Sequence, residues 1–179
     1  MKIILSQRID IESDYEDVPF STYHFPKRHL NQIHTRDQFI YYQGSRFKKE
    51  YRYYFGCGVI GAIVPDATGE HFYAYILEGR RFPINVPIYL LGGGGFIESI
   101  GYEHVRNKPN PSWQYSVRRI SDDAFFKILQ LANVDYDAGE NISLLETGID
   151  ALDVLRYLNS RYANISPRER AKKIQHHFD

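Results

Sequence analysis

Residues 41–63 read YYQGSRFKKEYRYYFGCGVIGAI. From Tyr51 to Val64 the odd positions are Tyr, Tyr, Phe, Cys, Val, Gly and Ile, the apolar face of a strand with period two. The even positions begin Arg52, Tyr54, Gly56, Gly58, a face of another kind. Glycine weakens a strand interior, so Gly56, Gly58 and Gly61 require a reason. Either they let a sheet coil at a barrel corner, or they clear space against which a flat ligand or another chain lies. Arg46, Lys48, Lys49 and Arg52 raise a second question, because a core strand has no use for cations among its tyrosines.

Outward from this stretch, KIIL (2–5), DQFIYYQ (37–43) and HFYAYIL (71–77) read as further strands, the last following a PDATGE turn at 65–70. FPINVPIYL (82–90) carries Pro83 and Pro87, which argues for a sheet edge or an irregular crossing. STYHFPKRHLNQI (21–33) places Pro26 to open a short helix. GGGG (92–95) is a loop, and KPNPSWQYSVRRI (108–120) is a proline-marked loop running into a last strand. Then the texture changes. Ser121 caps a helix whose first turn is acidic, and 149–162 sets Ile149, Leu152, Leu155, Leu158 and Tyr162 on one stripe. Ser166, Pro167 and Glu169 form a capping box for a last helix. The chain is therefore expected to be α+β: a twisted β-barrel flanked by short helices over residues 1–120, and a helical extension or linker over 121–179.

With 179 residues the chain can bury a full core without staples, and its single cysteine, Cys57, excludes a disulfide framework. The absence of a leader or a long apolar run leads to the expectation of a cytoplasmic protein with no membrane partner. Lys plus Arg balances Asp plus Glu at 22 each, so any electrostatic partner must be sought in the distribution of charge. That distribution is uneven: DIESDYED (10–17) is acidic, whereas 46–52 and 80–81 are basic.

Enzyme signatures are weak. His24, His29 and His34 recur every five residues, which scatters them around a helix, and no metal or other cofactor is expected. GGGG lacks the Lys-Ser/Thr of a phosphate loop, and Cys57 lies on an apolar strand face as a packing residue. Asp66, followed by Glu78-Gly79-Arg80, mimics the acids and base of a metal-dependent nuclease, although an Asp-Ala-Thr-Gly turn equally accounts for Asp66. Binding signals are stronger. Tyr41, Tyr42, Arg46, Lys48, Lys49, Arg52 and Tyr54 interleave flat rings, on which bases stack, with cations that pair phosphates. Trp113, the only tryptophan, forms a pocket wall or fills the barrel end.

In order, YHFPKRHLNQI, DQFIYYQGSRF, YYFGCGVIGAI and FYAYILEGRRFPINV resemble the PUA-like group of EVE, YTH and ASCH domains over residues 20–120. They resemble in particular the modified-base readers at the front of modification-dependent restriction endonucleases. The resemblance implies a non-enzymatic module that receives a methylated or hydroxymethylated base, flipped from DNA, in an aromatic cage. RNA is a further possible partner. It implies Gln43 and Ser45 at the pocket lip, Tyr23, Phe25, Tyr42 and Trp113 as walls, and Arg46, Lys48, Lys49 and Arg52 on phosphates. Two departures stand out: YTH cages are largely tryptophan, and no HNH motif is present. Cleavage would thus belong to a C-terminal nuclease domain or a partner subunit. The alternatives are the nuclease built on Asp66 and Glu78, and a protein-interaction module docking through helix 149–162.

Overall fold

The computed structural model of the chain describes residues 1–9, 17–44, 51–102 and 111–134, together with Ser166 and Glu169. Six strands form one mixed sheet: β1 (Lys2–Ser6), β2 (Thr22–Pro26), β3 (Gln38–Gln43), β4 (Tyr53–Pro65), β5 (His71–Pro87) and β6 (Val117–Arg119). Their order is β2-β5-β4-β3-β1-β6. β1 runs parallel to β3, and every other neighbouring pair is antiparallel. The sheet curls into a half-barrel on which helix α1 (Asp122–Leu131) packs, so the α+β class and the twisted, barrel-like sheet hold. Among the described residues no helix is long and apolar enough to cross a membrane.

Strands β1 and β3 are apolar along their length because both faces of the sheet are buried, and successive side chains enter opposite cores. Ile3, Leu5, Phe39 and Tyr41 point into one core with Tyr23, Phe25, Phe55, Ile60, Ala74 and Ile76. Ile4, Ile40 and Tyr42 point into the other, where Ala124, Phe125, Ile128 and Leu129 of α1 pack. The helix starts where its cap predicts: the Ser121 hydroxyl accepts from the Ala124 amide at 3.0 Å and itself donates to the Ile100 carbonyl. Ser166 makes the expected cap contact, the Glu169 amide donating to its Oγ at 3.3 Å, and its hydroxyl donates to the Glu169 carboxylate at 3.0 Å. The helix expected at 149–162 lies outside the described residues.

Two expectations are corrected. Residues 22–26 are a strand, and Pro26 leads only into a single 3-10 turn, Lys27–His29, so His24, His29 and His34 share no helix. Pro26 has no amide to extend the β2–β5 ladder past its last pair with His71. Strand β4 does not keep one apolar face either. Register shifts at Tyr54/Gly56, Cys57/Val59 and Ile60/Ile63 turn Tyr54 and Cys57 towards the α1 core and Phe55 and Ile60 towards the other. Residues 82–87 continue β5 beyond its pairing with β2, with Pro83 inside the bulge that separates the Arg81 and Val86 pairs. A bulge is where a strand tolerates a residue without an amide donor.

Candidate functional site

The glycines of β4 clear space, and the protein's own rings take it. A Cβ on Gly56 would overlap the Phe20 ring, and one on Gly58 would lie 2.8 Å from the Phe39 ring. Gly79 on β5 admits the backbone of Phe20, whose carbonyl oxygen is 2.7 Å from where a Cβ would stand. Phe20 then sets its ring edge-on against Tyr41 (5.4 Å) and Phe55 (6.1 Å). The expected slot for a flat ligand along this strand is therefore filled by Phe20 and Phe39.

The anticipated pocket residues divide between the two faces of the sheet. Tyr23 and Phe25 stack at 6.0 Å inside the core opposite α1, both buried. Tyr42 and Trp113 meet on the α1 side, with ring centroids 5.4 Å apart. Gln43 is buried and its amide is committed: Oε1 accepts from the Ile9 amide at 2.8 Å, and Nε2 donates to the Gly44 carbonyl at 3.0 Å. Ser45, Arg46, Lys48 and Lys49 lie outside the described residues.

What does converge is an aromatic run carrying two guanidinium groups. Tyr89 contacts Phe96 (5.3 Å), Phe96 meets Trp113 edge-on (5.2 Å), and Trp113 meets Tyr42. Arg118 lies 4.7 Å from the Tyr42 ring and 5.3 Å from the Trp113 ring, and Arg52 lies 5.7 Å from the Trp113 ring. Trp113 and Arg52 are half-buried, and Tyr89 is 38% exposed, so the outer side of this run meets solvent.

Beneath it sits a buried ion pair that the sequence reading missed. Arg118 grips Glu98 with Nε and Nη2 at 2.9 and 2.7 Å, and the Tyr54 hydroxyl donates to Glu98 at 2.8 Å. Arg118 Nη1 adds a bond to the Tyr115 carbonyl at 3.0 Å. Burial, followed by the Glu98 carboxylate, raises the Tyr54 phenol well above its ordinary value, so it stays a donor. Burial alone would lower Arg118, and the Glu98 carboxylate more than offsets it. The signal lay in the sequence as isolated charges inside apolar segments, FIESI and SVRRI.

On the other side of the edge strand β6, Gln32, Tyr115, Val117 and Arg119 line a half-open depression of about 340 Å³. Burial pushes the Cys57 thiol up to about 11, which keeps it protonated at neutral pH and leaves it a packing residue. Asp66 is the cap of its turn, and the metal-ligand group around it consists of His24 and His71 without Glu78. Comparison with protein-family models, curated proteins and solved structures finds no match for the chain.

Proposed function

We propose that the chain is a cytoplasmic, non-enzymatic nucleic-acid-binding module of PUA-like type that selects DNA carrying a modified base, and that it serves as the recognition part of a modification-dependent restriction system. The observation that carries the reading is the meeting of Trp113 and Tyr42 beside two guanidinium groups, Arg52 and Arg118. Stacking surface beside fixed positive charge is the pairing that an unstacked base and its phosphate require. Arg52 also continues directly from the basic segment 46–49. Because Phe20 and Phe39 fill the glycine strand, the base does not enter there. In this reading it stacks on the solvent side of Trp113, and the half-buried Arg52 beside the same ring adds positive charge to that surface.

Titration of labelled duplexes and single strands, with and without 5-methylcytosine, 5-hydroxymethylcytosine or N6-methyladenine, tests this at several salt concentrations. The expected result is micromolar binding that weakens with salt and favours one modified strand. Equal, salt-insensitive, millimolar binding to every probe removes the reading.

A further inference from the structure

We propose that His24, Asp66 and His71 form a binding site for a first-row divalent cation of the zinc type, tying the β4–β5 turn to the edge strand β2. Each residue offers one ligand atom, and the three atoms lie within 4.8 Å of one another. The site is a product of strand register. His24 pairs with Tyr73 and Pro26 with His71, so His24 and His71 occupy the same face of the β2–β5 ribbon, two residues apart along β5. That face is opposite to Tyr23 and Phe25.

The carboxylate is pre-positioned by its own turn. Asp66 Oδ1 accepts from the Thr68 amide (3.0 Å), the Thr68 hydroxyl (2.8 Å) and the Gly69 amide (2.8 Å). Oδ2 is left directed at the imidazoles, 3.9 Å from His24 Nε2 and 3.8 Å from His71 Nδ1. Both separations exceed hydrogen-bond length. They are about half an ångström wider than the roughly 3.4 Å edge of a tetrahedron with metal–ligand bonds near 2.1 Å. A bound ion would draw them in by rotation of His71, whose side chain is 38% exposed, and by a shift of the Asp66 carboxylate towards the His24 ring. The His24 ring is held in place, stacked on Tyr73 at 4.5 Å with 13° between planes.

Burial would raise the Asp66 carboxyl, but the bonds from Thr68, Gly69 and His71 hold it below the usual range. Two imidazoles and one carboxylate select borderline metals such as Zn²⁺ over Mg²⁺ or Ca²⁺, which favour all-oxygen sites. Three protein ligands leave a fourth position for water or a ligand oxygen. The site stands at the β2 edge of the sheet, whereas Arg118 stands on β6 at the opposite edge, so the inference does not rest on the nucleic-acid reading.

The test is titration of the full chain with Co²⁺, read by visible absorption, followed by displacement with Zn²⁺, and thermal melting with and without Zn²⁺. Expected are one-to-one binding, a cobalt spectrum of tetrahedral intensity, a Zn²⁺-dependent rise in Tm, and no competition from Mg²⁺. His71→Ala, at a partly exposed position, and Asp66→Asn, which keeps the Oδ1 acceptor for the turn, should each weaken binding at least tenfold. His34→Ala, at an exposed position elsewhere, should leave it unchanged. No saturable binding below about 100 µM Zn²⁺, a threshold that corresponds to roughly 5.5 kcal/mol, would overturn the proposal. So would wild-type affinity in a folded His71→Ala protein, with the three side chains then forming an ion pair only.

Discussion

Arg118 closes on both oxygens of Glu98 at 2.9 and 2.7 Å, with each side chain about 5% exposed. Removing one member of such a pair strands the other charge away from water. Glu98→Gln is therefore expected to cost roughly 3–5 kcal/mol in urea unfolding. Tyr54→Phe removes only the third bond to Glu98 and is expected to cost about 1 kcal/mol. Similar small losses in both variants would mean that the pair is hydrated in solution.

Phe20 and Gly56 behave as a lock and its seat. Gly56→Ala drives a methyl into the Phe20 ring and to 2.7 Å from the Arg80 carbonyl. The expected loss is about 1–3 kcal/mol. In a Phe20→Ala background the loss should shrink without vanishing, because the carbonyl remains. Gly69→Ala has nothing within 4 Å and only its φ of +72° against it, so its cost should be the same in both backgrounds. A double-mutant cycle by chemical denaturation reads the difference.

Trp113 and Arg52 should separate stacking from charge. Trp113→Ala is expected to weaken binding of a single strand or a modified duplex by about 1–3 kcal/mol at every salt concentration. Arg52→Gln should instead lower the slope of log affinity against log salt by about one. Fluorescence anisotropy measures both. Full affinity in both variants, with loss in Tyr115→Ala and Arg119→Gln, would move the interface to the depression beside β6.

Asp17 makes stability depend on pH. Burial raises its carboxyl to about 7 despite the bond it accepts from the His24 amide. The folded protein thus holds the proton more tightly than the unfolded chain does. This contribution to stability is fully present below about pH 4 and is lost as pH rises through about 7. Asp17→Asn retains an acceptor for the amide. It should flatten that slope and raise stability at pH 7.5 by at least about 1 kcal/mol, one kcal/mol being near 0.7 of a pKa step. Denaturant midpoints between pH 4 and 8 decide it.

The parts of the fold legible in the sequence were those decided by local patterns. The short apolar runs of β1 and β3, the turn at Asp66 and the Ser121 cap need only neighbours in the chain. What was not legible depends on contacts between distant segments. The face changes of β4 arise from its bulges, and the period-two pattern of residues 51–64 runs through them without a mark. Gly56 reads as a weak point of its strand, and Gly79 draws no notice, until Phe20, from a third segment with φ of 64°, is seen to lie across both. The metal-ligand group was hidden by reading Pro26 as a helix start; the apolar pair Tyr23 and Phe25 around His24 was the strand signal in the same residues. Tyr42, Trp113 and Arg52 do gather, but Tyr23 and Phe25 belong to the other core.

Strand β1 lies between β3 and β6, pairing Ile3, Ile4 and Leu5 with Arg119, Arg118 and Val117. A chain emerging from the ribosome thus carries its first strand with one bare amide edge until residue 117 has left the exit tunnel. Fragments ending before Val117 should retain that bare edge for good and associate through it. Soluble pieces for crystallisation or display are best cut on the far side of α1.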